Sequence, residues 1–207
     1  MKNLLSLFLC LMATAVCFAA EPIAGAPWNL DFGTSYSDAE AIVKDSFPDA
    51  DVRLHPESQI TVFNDIDFAD RSFDQAVLLF NEDGLDLCML AVAQTYMNYE
   101  KDKLDEKDAA NWLNYMDSKL TDFLEPLVLN FYDLYGEAIP DFHLVKGAYQ
   151  DITWEDEDGN LAQIVIFRKL NKIQDDPELT EKLGYIPEVS VVVNFVRDGK
   201  NKLDIKD

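Results

Sequence analysis

The sequence is nearly empty of the residues that build metal and redox sites. Two His and three Cys occur in 207 residues, and the eight Gly never gather into a GxGxxG or phosphate-loop cluster. His55 lies in Leu54-His55-Pro56-Glu57 and His143 in Asp141-Phe142-His143-Leu144. Neither has a second His or a Cys at metal-ligand spacing, so no zinc ligand set is legible. No Ser stands in a Gly-x-Ser-x-Gly elbow, which removes the common esterase signature. On these grounds no catalytic, cofactor-binding or metal-binding residue is nominated, and no cofactor is expected.

Basic residues are scarce too. Lys and Arg number 17 against 39 Asp and Glu, a formal net charge of -22. Such a surface repels phosphate, and no Lys/Arg cluster with interleaved aromatics offsets it, so nucleic acid and anionic lipid are poor partners. The charge favours a basic partner and otherwise serves solubility. Disorder would need low hydrophobicity as well, and the chain is 48% hydrophobic and 12% aromatic.

Long apolar runs are missing everywhere except at the start. There, Lys2, the run from Leu4 to Val16 and the small residues near Ala19 form the pattern of a secretory signal, with the cut expected after Ala19. The run is short for a membrane span. Thr14-Ala15-Val16-Cys17 lacks the Leu and the small residue beside Cys that lipidation requires, which argues against an anchor at Cys17. The expected organisation is therefore a signal peptide over 1–19 and one exported domain over 20–207, periplasmic or secreted from a bacterium. That domain would carry 16 basic and 39 acidic residues, net -23, and only Cys88. A single Cys makes no internal disulfide, and Cys88 lies in the apolar run Leu85-Asp86-Leu87-Cys88-Met89-Leu90, where a buried thiol is expected.

What remains is patterned for secondary structure. Ser37-Asp38-Ala39-Glu40 reads as a capping box opening a helix that Pro48 stops near Ser46. Ile60, Val62, Ile66 and Phe68 alternate as a strand. The apolar stretches 73–80 and 85–93 flank Asn81-Glu82-Asp83-Gly84, a hairpin signal, so the first half reads as a helix and about three antiparallel strands. Residues 98–111 mix both charges, as a linker entering a helix. Trp112, Tyr115, Met116, Leu120, Phe123, Leu124, Leu127, Phe131 and Leu134 form a helical stripe, with Pro126 expected to kink or split it and Gly136 to cap it. Extended structure is expected over 142–154 and 161–170, a short helix over 175–183, and a half-buried strand from Val189, Val191, Val193 and Phe195.

Each half thus reads as a helix followed by strands, with possible halves 28–97 and 111–207. A duplicated unit would give this echo, and so would ordinary meander construction. Either way the class is α+β, an antiparallel sheet with helices packed on one face. The acidic run Glu155-Asp156-Glu157-Asp158-Gly159-Asn160 invites a calcium reading. Aligning Gly159 with the sixth position of a calcium loop puts Trp154 at the first and Val165 at the twelfth, so both essential ligands fail and an acidic hairpin tip is the better reading. Paired acids for glycoside hydrolysis can lie far apart in sequence, and 39 acids make some close pair unavoidable, so sequence alone gives that chemistry no support.

Leu30-Asp31-Phe32-Gly33-Thr34-Ser35-Tyr36-Ser37-Asp38-Ala39-Glu40-Ala41-Ile42-Val43 resembles the opening of small exported bacterial domains, the outer-membrane assembly lipoproteins of the BamE/SmpA type and the β-lactamase inhibitor proteins. The resemblance covers about residues 30–93. It departs in the missing lipidation site, the long second helix and the acidity. It implies noncatalytic binding of another protein, and it carries over no binding residue. The expected function is that of a noncatalytic exported domain binding a protein or other cell-envelope component. The alternative is a carboxylate-based envelope hydrolase, with or without a divalent cation.

Overall fold

Strands form where apolar residues alternate, and a computed structural model, which describes residues 22–23, 25–95, 104–139, 147–172 and 184–199, joins seven of them into one antiparallel sheet. The elements run β1 (Gly25–Ala26), β2 (Leu30–Asp31), α1 (Tyr36–Ser46), β3 (Asp51–His55), β4 (Gln59–Phe68), β5 (Arg71–Asn81), β6 (Gly84–Thr95), α2 (Glu106–Tyr135), β7 (Gln150–Glu155), β8 (Leu161–Lys172) and β9 (Tyr185–Val196). The large sheet has the order β3-β4-β5-β6-β9-β8-β7, and β1 and β2 pair separately as a short ribbon. Each half is a meander, and the two meanders meet along β6 and β9, where Leu90 lies opposite Val193. The α+β class expected from the patterning is the class that forms. The first half contributes four strands, one more than the patterning predicts, because β3 also pairs with β4.

One face of the sheet carries the core. Ile60, Leu78, Cys88, Val193, Ile164 and Trp154 come from six neighbouring strands and are all buried on it, as are Ala39 and Val43 of α1 and Leu127 and Phe131 of α2. Burying each aliphatic side chain of this kind contributes about 1.5–3 kcal/mol.

Helix α1 starts two residues before the expected box. Ser35 is the cap, with the Asp38 amide donating to Ser35 Oγ at 3.2 Å. Tyr36 enters the helix because its ring packs edge-on against Phe80, 5.2 Å between centroids. Glu40, free of the capping role, pairs with Lys44 one turn on. The helix ends at Ser46, as Pro48 requires.

Helix α2 is one continuous element of 30 residues, about 45 Å long, and Pro126 does not split it. Ala109, Leu113, Met116, Leu120, Leu127 and Phe131 bury one stripe, while Tyr115 and Leu129 face out. Pro126 brings no N–H to the carbonyl of Asp122, four residues back. Arg71, at the start of β5, reaches this break: Nε donates to Phe123 O at 2.9 Å and Nη2 to Asp122 O at 3.4 Å. Gly136 ends the helix at φ +76, and its carbonyl accepts from Trp154 Nε1 at 3.1 Å.

Arg71 arrives there on a tight hairpin. A bulge between Phe63 and Ile66 interrupts the β4–β5 register, and Phe68 pairs with Arg71 across a two-residue turn. Both turn residues, Ala69 (φ +49) and Asp70 (φ +57), are left-handed, the mirror-image geometry that Asn-Gly favours. The double substitution Ala69→Asn, Asp70→Gly should therefore raise stability by about 1–2 kcal/mol, seen as a higher urea midpoint with unchanged slope. The short helix expected over 175–183, His143, Pro140 and the signal segment 1–19 lie outside the described residues.

Candidate interaction surface

The acidic turns gather at one end of the sheet. Register places Leu87, Val196 and Leu161 in one row, so the turns at Asp83-Gly84, Asp158-Gly159 and Asp198-Gly199 share that end. They are joined to one another: Arg197 Nη1 donates to Asp83 O at 3.2 Å, and the Asp198 amide donates to Asn160 Oδ1 at 3.0 Å.

Asp156 shows what the acidic run does. Its Oδ1 accepts from the amides of Asp158 (3.0 Å) and Asn160 (2.9 Å). Its Oδ2 accepts from Asn160 Nδ2 (3.1 Å) and from the amide of Ile23 (2.9 Å), 133 residues earlier. One carboxylate thus shapes the β7–β8 turn and holds the start of the described chain against it. Among the described residues, no group of three His, Cys, Asp or Glu is placed to hold a metal ion.

The Cys88 thiol is equally structural. Cys88 is fully buried in β6, and burial pushes its pKa up, which keeps it a protonated, unreactive apolar filler. His55 ends β3 at the surface. Tyr36 lines a hollow of about 540 Å³ with Gly33, Glu57, Phe80 and the β5–β6 turn. Its hydroxyl is buried without a hydrogen-bond partner, and its pKa is raised by burial and by Glu40.

The sheet face opposite the helices is of a different kind. Three cross-strand rows run over β4, β5, β6, β9 and β8: Gln59-Leu79-Leu87-Val196-Leu161, Thr61-Val77-Met89-Asn194-Gln163 and Phe63-Gln75-Ala91-Val192-Val165. None of these residues is charged, in a chain where 27% of residues are. Charges on this face stand outside these rows, at Asp51 and Arg53 on β3, at Asp151 and Glu155 on β7, and at Lys169 and Glu188 farther along β8 and β9. Thr61, Val77, Thr153, Leu161, Gln163, Val165 and Val196 are buried, Phe63, Leu87, Met89 and Ala91 are half-buried, and Leu79 is 38% exposed. An apolar, hydrogen-bonding surface framed by charge is the composition of a protein-binding patch.

Among the described residues no helix is long and apolar enough to cross a membrane. No family model, curated protein or solved structure matches the chain.

Proposed function

We propose that this chain is an exported, noncatalytic domain that binds a protein or other envelope component through the sheet face opposite its helices. The observation that carries the proposal is the uncharged field over β4, β5 and β6, with Leu79 exposed at its margin, in a chain of net charge -22. Leu79 would be the apolar anchor, with Gln59 and Gln75 offering hydrogen bonds beside it. The surrounding acidity would speed encounter with a basic partner and make the on-rate fall with salt. The resemblance over residues 30–93 supports the same reading, since the families it points to bind other proteins.

Capture from a bacterial periplasmic extract on the tagged protein tests it. A saturable partner is expected, and Leu79→Asp should weaken its capture at least about 10-fold, because it buries an unpaired charge at the contact. Equal capture by the variant, or no saturable partner, would refute the assignment. Export has its own readout. Protein recovered from the periplasm of a host expressing the full sequence should have the mass of a chain beginning at Ala20, and a mass retaining Met1 would refute it.

A further inference from the structure

The edge strand β3 has an unusual charge order. Asp51-Val52-Arg53 is acidic on one side of Val52 and basic on the other. Pairing with β4 puts Asp51, Arg53 and His55 on the face opposite the helices and Val52 and Leu54 on the helix side. The strand is the last in the sheet, so among the described residues its outer backbone edge pairs with nothing. Its side chains are open to an incoming strand, with those of Arg53 and Asp51 64% and 53% exposed and Leu54 38% exposed. Arg53 is already held in place, 3.1 Å from Asp51 and stacked 4.5 Å over the Phe63 ring.

We propose that β3 pairs antiparallel with β3 of a second copy, about a two-fold axis through Val52. In that register Val52 meets Val52, and Asp51 meets Arg53 twice. Both charges of the strand, Asp51 and Arg53, find their opposites on one face, and Val52 finds Val52 on the other. A two-fold contact requires this self-complementarity, because residue i meets j wherever j meets i. Unpaired edges elsewhere are blunted by charges that repel a copy of themselves. Here the order of the charges does the reverse, and opposite charges placed directly across strands stabilise the pairing. The contact is independent of the binding face above, since it uses the edge of the sheet and leaves Leu79 and Met89 free.

A five-residue edge makes a small interface, so the dimer is weak and salt-sensitive. Sedimentation equilibrium of the purified protein up to about 0.5 mM should show a reversible dimer that weakens as salt is raised. Asp51→Arg and Arg53→Asp each place like charges opposite one another, so each variant alone should dimerise at least about 10-fold more weakly. Mixed, the two variants restore both pairs in a heterodimer, and association should return to within about 3-fold of the parent. Because the mixture recovers association only if both variants are folded, it separates lost pairing from lost structure. A parent that stays monomeric over that range would overturn the proposal. So would a dimer undiminished in the single variants, or a mixture that associates no better than its components.

Discussion

Gly84→Ala should cost about 3–5 kcal/mol of stability, one of the two largest losses expected from a single substitution. Gly84 follows the β5–β6 turn at φ +97, where an L side chain is strained. A methyl group there would lie 2.3 Å from the Gly33 carbonyl oxygen and 2.7 Å from that of Thr34. Both obstacles are backbone, and this backbone is engaged: the Gly33 amide donates to Leu85 O at 2.9 Å, and the Leu85 amide donates to Thr34 O at 2.8 Å. The segment leading into α1 must therefore move off the sheet to admit one carbon. Gly147→Ala is the matched control, with a similar φ of +86 and, among the described residues, nothing within 4 Å of the added carbon. It should lose only the conformational share, about 1–2 kcal/mol. Urea unfolding of the two variants measures the difference, and equal losses would show that the contact with Gly33 carries no weight.

Phe131→Ala should cost about 3–5 kcal/mol as well, by a different route. Phe131 is fully buried on α2 and stands among the rings of Phe68 (6.1 Å), Tyr135 (5.3 Å), Trp154 (5.1 Å) and Phe195 (6.0 Å). Those rings come from β4, α2, β7 and β9, so the cavity opens where four elements meet and none can collapse into it alone. Phe131→Leu should recover about half of the loss by refilling most of the volume. Leu129→Ala, two residues away on the exposed face of the same helix, should change stability by less than about 0.5 kcal/mol. A Phe131→Ala loss as small as that of Leu129→Ala would mean the ring cluster contributes little.

The parts of this fold that sequence disclosed are those whose signal is local. The α2 stripe, the Asp-Gly turn before β6 and the alternation in β9 each follow from residues within one element. Strand β3 escaped because Asp-Val-Arg-Leu-His spends its alternation on charges at an edge, and only its partner β4 makes it a strand. The cap of α1 moved from Ser37 to Ser35 because Ser35 and Asp38 stand at the same useful spacing and the packing of Tyr36 on Phe80 chose between them. The turn at Ala69-Asp70 has no glycine to announce it. The uncharged sheet face was legible only in pieces. Its rows alternate within each strand, but the seam at β6 and β9 joins residues about 100 positions apart, which no window of sequence reveals.

The meeting of Arg71 with the break at Pro126 bears on how the protein comes apart. A helix with a proline in its middle has a weak point, and water would ordinarily enter there first. In this chain the donors that close the gap belong to the other half of the sequence, carried in by a hairpin from β4 and β5. Neither half is complete without the other, since the hairpin has its anchor on α2 and α2 has its missing partner on the hairpin. The two meanders should therefore melt as a single cooperative unit, and a fragment cut between them inherits an unsatisfied helix on one side and an undocked arm on the other.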